Sequence, residues 1–218
     1  MTDALRAAAE TMKAVRERCV WSQQITHRDL VPYLIEESHE VIDAVEDGTR
    51  ADLREELGDL LWQVLFHAAI AAQHPDDPFD IDDVAETLTE KMVRRHPHVF
   101  AGAIATTPEE VLVHWNAAKA AEKRERRSVL DGVPAGMPAL ARAQKVLGRA
   151  ARVGAGDDVA LAAHDAAEIG AAPESEDELG DMLLMLAAAA RTNGWDAERA
   201  LRERLRTLED EVRDAEAR

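Results

Sequence analysis

One segment limits the possible folds more than any other. Residues 54–73, REELGDLLWQVLFHAAIAAQ, repeat apolar side chains at the helical period, with Leu57, Leu60, Leu61 and Val64 on one face. Trp62, Phe66 and Ile70 fill much of the rest. A helix that is apolar nearly all round is expected to be buried, so this segment predicts the middle of a helical bundle. Yet Glu56 and Asp59 stand among these residues. The preceding segment, YLIEESHEVIDAV (33–45), sets Glu36, Glu37 and Glu40 in an apolar pattern in the same way. A buried carboxylate without a partner is costly, and it either protonates or finds a cation.

The rest of the 218-residue chain is also helical in pattern. Alanine is abundant, aromatics make up 4%, and β-branched runs are scarce, which favours helices over strands. Leu5, Ala8, Ala9, Met12 and Val15 form a first stripe, which CVWSQQITH interrupts. A helix restarts near Pro32, at a first-turn position, and ends near Gly48. Thr49 and Asp52 form a capping-box variant that opens the next helix, which runs to about Gln73. A further helix spans 81–95. Thr107, Pro108 and Glu110 supply an N-cap, a proline at N1 and an acid at N3 for another, which fades into EKRERR (122–127), read as a solvated charge run.

SVLDGVPAGMP (128–138) reads as a linker. Beyond it EDELGDMLLML (176–186) echoes REELGDLLWQV at an offset of 122 residues, the mark of a decayed internal duplication. The positions corresponding to EESHE read DVALA, so three glutamates are not restored. The chain therefore divides into a catalytic domain at 1–127, a linker at 128–140 and a degenerate second helical domain at 141–218. Leu201, Leu205, Leu208, Val212 and Ala215 make a seam for a packing helix or a dimer contact. The formal charge of −17 argues against nucleic acid as partner. No apolar run approaches the ~20 residues of a membrane span. The amphipathic N-terminus is not a signal peptide, and the single Cys19 fits a cytoplasmic protein.

On a helix, Glu37 and Glu40 share one face, as do Glu56 and Asp59. Their helices are joined by a short turn at Gly48 and should be antiparallel neighbours. Four carboxylates brought together in this way repel one another, and a divalent cation resolves the conflict. Magnesium takes oxygen ligands at about 2.0–2.1 Å and commonly bridges carboxylates to substrate phosphates. Di-iron bundles also use helix-borne carboxylates, but they need Glu-x-x-His on two helices. Glu36 and His39 offer that pair once and His67 lacks it, so a hard cation is preferred. Within KMVRRHPHVF (91–100), Lys91 and Arg95 lean inward and are placed to hold phosphate oxygens. Trp115 and Lys119 share a face of the following helix and could meet a nucleotide.

CVWSQQITH, PYLIEESHEVIDAV, REELGDLLWQVLFHA, EKMVRRHPHVF, VHWNAAK and the linker together resemble the MazG family of nucleoside triphosphate pyrophosphohydrolases, over about residues 19–150. The resemblance implies an all-α pyrophosphatase bundle, typically a homodimer, with its site in a four-helix arrangement completed by dimerisation. It implies cleavage of NTPs and dNTPs between the α- and β-phosphates with Mg²⁺, for which Mn²⁺ could substitute. The family's EExxE and ExxD motifs fall on Glu36, Glu37, Glu40, Glu56 and Asp59. Glu37, Glu40, Glu56 and Asp59 would ligate the metal, with Glu36 as a helper carboxylate. Lys91, Arg95, Trp115 and Lys119 would contact the nucleotide.

Two departures stand out. The usual CPWD reads CVWS, and Gln23 and Gln24 replace charged residues. The second half keeps Glu178 and Asp181 without partners, so one working site per chain is expected. In the implied mechanism, Lys91 and Arg95 stabilise phosphate charge, and Glu36 or Glu40 accepts the proton of the attacking water. The rival reading is a non-catalytic helical interaction or regulatory protein.

Overall fold

Helix starts written in the sequence are the starts of helices in the computed structural model, which describes residues 4–122, 128–155 and 173–216. The chain is all-α, with no strand among the described residues. It splits into two compact units, Met1–Glu122 and Lys123–Arg218. The first holds α1 (Ala4–Arg18), α2 (Val20–Gln24), α3 (Val31–Glu46), α4 (Arg50–Ala71), α5 (Ile81–Arg95), α6 (Pro97–Phe100) and α7 (Pro108–Ala121). The second holds α8 (Ala139–Ala150), a 3₁₀ turn (Ala151–Val153), α9 (Glu176–Thr192) and α10 (Ala197–Glu216). None of the described helices is long and apolar enough to cross a membrane.

The helix starts expected at Pro32, Thr49 and Thr107 are present, and one capping box was not foreseen. Thr49 Oγ1 accepts from the Ala51 and Asp52 amides, and Asp52 accepts from the Thr49 amide at 2.7 Å, so α4 opens with a complete capping box. Pro32 lies in the first turn of α3, and Thr107 and Pro108 open α7. Asp80 and Asp83 make a second capping box at the start of α5.

The core of the first unit is Met12, Leu30, Leu65 and Phe66, with Ala8, Ala9, Val15, Trp62 and Ile70 packed around it. It engages the C-terminal half of α4, against α1 and the chain leading into α3. The expected burial of α4 all round is not found in the single chain. Leu57 and Val64 are 50% and 40% exposed, and Leu34 and Val45 on α3 are open as well. The cause is coverage: α4 packs against α1, α3 and α5, and these neighbours leave Leu57 and Val64 open.

CVWSQQITH is tied down by polar contacts. Arg16, 8% exposed, donates from Nη1 to the Ser22 and Ile25 carbonyls and from Nε to Gln73 Oε1 at 3.0 Å. Ser22 Oγ donates to the Val15 carbonyl at 2.8 Å and is buried. These bonds tie α2 and the chain around it to the end of α1 and the end of α4.

In the second unit α8 packs on α9 and α10. Gln144 bridges the Trp195 carbonyl and the Ala197 amide at 2.8 and 3.1 Å, which fixes the start of α10. Leu201, Leu205, Leu208 and Val212 remain about half exposed; the side chain of Ala215 lies outside the described residues, as do DVALA and 123–127. Ser175 caps α9 by accepting from the Glu178 amide, while Glu178 accepts from the Glu174 amide at 2.7 Å. Glu178 therefore serves the start of its helix.

Candidate active site

Thr49 starts α4 seven residues before Glu56, so Glu56 and Asp59 rise from the second and third turns, on the part of the helix that lies against α3. The short turn after Glu46 returns the chain antiparallel, and Glu37 meets them from α3. One carboxylate oxygen from each of Glu37, Glu56 and Asp59 lies within 4.8 Å of the others. Glu37 and Glu56 are half-buried and Asp59 is exposed.

The electrostatics show the strain of this gathering. Burial, then the charge of Asp59, pushes the Glu37 carboxyl above the usual carboxylate range, with Glu40 adding to it. Burial, then Glu40 and Asp59, raises Glu56 in the same sense. Glu40 is thus close enough to act on both, although it stands outside the tight trio. Glu36 is exposed on α3. The donors are all oxygen, which fits a hard divalent cation.

The basic and aromatic residues stand on α5 and α7. Lys91 is half-buried on α5, and Trp115 and Lys119 are half-buried on α7. Arg95 is buried and its guanidinium lies 5.0 Å from the Trp115 ring centroid. It also donates from Nη2 and Nε to Glu122 Oε2 at 2.5 and 3.1 Å. Arg94 donates to Oε1 of the same carboxylate at 3.0 Å. Bonds from Arg95 first, with Arg94 adding to them, hold the Glu122 carboxyl down at about 2. Glu122 is therefore an ion-pair partner, which corrects its reading as the start of a solvated charge run. The pairing spans 27 residues and no local spacing announces it.

Sequence reasoning also missed Gln63 and the pair His27–His67. Gln63, 5% exposed, donates from Nε2 to Glu37 Oε1 at 3.3 Å. His27 and His67 share a hydrogen bond between their Nδ1 atoms at 2.8 Å. A signal was present: Glu56, Asp59, Gln63 and His67 repeat at helical spacing, one polar line along an apolar helix.

Residues 25–100 match the family described as the MazG nucleotide pyrophosphohydrolase domain. An uncharacterized 26.1 kDa protein of Streptomyces cacaoi is 47% identical, over 95% of this chain and 80% of that protein. A nucleoside triphosphate pyrophosphohydrolase of Escherichia coli K12 is 35% identical, over 98% of this chain and 86% of the other. One of Mycolicibacterium smegmatis is 44% identical over 81% of this chain, which spans 55% of that protein's length. The chain belongs to the MazG family.

Proposed function

We propose that the chain is a Mg²⁺-dependent nucleoside triphosphate pyrophosphohydrolase of the cytoplasm, cleaving NTPs or dNTPs between the α- and β-phosphates to a monophosphate and pyrophosphate. The observation that carries this reading is the convergence of Glu37, Glu56 and Asp59 within 4.8 Å on two antiparallel helices. Relatives named nucleoside triphosphate pyrophosphohydrolase, matched over most of this chain, support the substrate class.

Glu37, Glu56 and Asp59 would hold the cation, with Glu40 closing the set from α3. Bound there, the metal would offset triphosphate charge and acidify a water. Glu36 or Glu40 would take that water's proton. Lys91 would hold phosphate oxygens. Arg95 would join it by exchanging Glu122 for phosphate, a swap of one oxyanion for another on the same planar donor set. Trp115 and Lys119 would face the nucleotide. The catalytic domain is then 1–127, and 141–218 is a second copy without chemistry.

A homodimer would complete the site. Leu34 and Val45 on α3, and Leu57 and Val64 on α4, each repeat along one face and are more than a third exposed. A second copy of the same two helices would cover them in a four-helix arrangement.

The test is pyrophosphate release from each NTP and dNTP with Mg²⁺. Glu37→Gln and Asp59→Asn should each abolish turnover while the far-UV circular dichroism keeps its helical form. Unchanged turnover in either variant sinks the assignment. No product from any nucleotide, oxidised ones included, would favour the non-catalytic alternative.

A further inference from the structure

The polar line on α4 carries two atoms that the fold leaves unsatisfied. Gln63 Oε1 and His67 Nε2 are both buried, and neither has a hydrogen-bond partner. A buried acceptor left unpaired costs roughly 1–3 kcal/mol. The two residues are four apart, so their side chains rise side by side from one face of the helix.

Each residue is already held at its other end. Gln63 Nε2 is spent on Glu37, and His67 Nδ1 is spent on His27. The Glu37 bond commits the nitrogen of the amide to the carboxylates, so its oxygen is the end that still needs a partner. Burial, then the neighbouring His27, holds His67 below its ordinary value, which leaves the neutral ring one donor and one acceptor. Whichever of them Nε2 is, a single water can satisfy it and still donate to Gln63 Oε1. A site for an ordered water needs two or more polar partners, and these are two.

We propose that a water shared by His67 and Gln63 fixes the Gln63 amide, and that Gln63 thereby positions Glu37 for the cation. The inference rests on the metal site proposed above. Gln63 is a positioning residue and His67 acts through it. An amide free to turn would present its oxygen to the Glu37 carboxylate, two acceptors face to face, and would push that ligand off its place. The Nδ1 bond to His27 holds the His67 ring and so makes the arrangement rigid from its far end. Groups that orient metal ligands in this way typically carry a 10–100-fold effect on metal affinity.

The experiment is Mn²⁺ binding to the full chain without nucleotide, read from the loss of the free-ion EPR signal. Gln63→Met keeps the volume and removes the hydrogen bonds. It should weaken binding about tenfold with the helical circular dichroism unchanged. Should that variant not fold, Gln63→Asn, too short to reach Glu37, is expected to show the same loss. His67→Leu should weaken binding in the parent chain and cost nothing further in the Gln63→Met background, since the two act in series. Parent affinity in the Gln63 variants, or an equal His67→Leu loss in both backgrounds, overturns the proposal. Asp59→Asn separates the two levels. If it abolishes binding while Gln63→Met keeps the parent affinity, only the positioning role fails. If the parent chain binds no Mn²⁺, both fail.

Discussion

Gly48 lies in the turn that sets α3 against α4, and Gly48→Ala is the substitution whose effect the structure specifies best. A Cβ there would come 2.6 Å from the Ala44 Cα and 2.8 Å from its carbonyl oxygen. The φ of Gly48 is not positive, so the requirement is for space and not for handedness. The obstacle is backbone, which cannot swing aside. Ordinary contact begins near 3.4 Å, so the turn must open by roughly 0.8 Å. Forcing an extra methyl into such a place costs about 1–3 kcal/mol, which for a unit of this size lowers Tm by roughly 4–12 °C. The displacement also reaches the carboxylates. Glu37 stands on α3 and Glu56 with Asp59 on α4, and the turn is the hinge between them. Metal–ligand distances tolerate only about 0.2 Å. Gly48→Ala should therefore melt early by circular dichroism and bind Mn²⁺ several-fold more weakly. A variant that melts within 1–2 °C of the parent, with parent affinity, would refute the steric argument, because relaxation of the turn would then be nearly free.

Gly58, inside α4, has no atom within 4 Å of an added Cβ, so Gly58→Ala should stabilise the chain by about 0.5–1 kcal/mol in urea unfolding. Thr49→Ala removes the side-chain half of the α4 capping box and should cost about 1 kcal/mol in the same assay. The Arg95–Glu122 clasp has a pH signature. The Glu122 carboxyl is held down at about 2 from an ordinary 4.5, so its contribution is fully present above 4.5 and is lost as pH falls through about 2. The stability difference between the parent and Glu122→Gln should be constant from neutral pH down to about 4.5 and then shrink toward zero. A difference that vanished already at pH 5 would refute the clasp.

What the sequence made legible was local. Thr49, Pro32 and Thr107 mark helix starts because capping is settled within four residues. The acids on α3 and α4 could be placed together because their spacing and the short turn at Gly48 leave one arrangement. What escaped were side chains that reach across the fold. Glu122 meets Arg95 from 27 residues away, and Arg16 meets Gln73 from 57. No periodicity encodes either bond. Gln63 was hidden for another reason: a single amide on an apolar helix reads as a gap in the pattern until its partner is known. The full burial expected of α4 was drawn from its composition, which cannot say how many neighbours one chain supplies.

The cap at Glu178 bears on how a duplicated segment drifts. In the first unit the letters ELGD begin at the seventh residue of their helix, and in the second at the third. Under the proposed function the same four letters serve unrelated ends, holding a metal at Glu56 and Asp59 and opening a helix at Glu178. On that reading the second segment is kept for folding, and its acids would not become a catalyst through a few reversions. Recovering chemistry there would first require its helix to begin a full turn earlier.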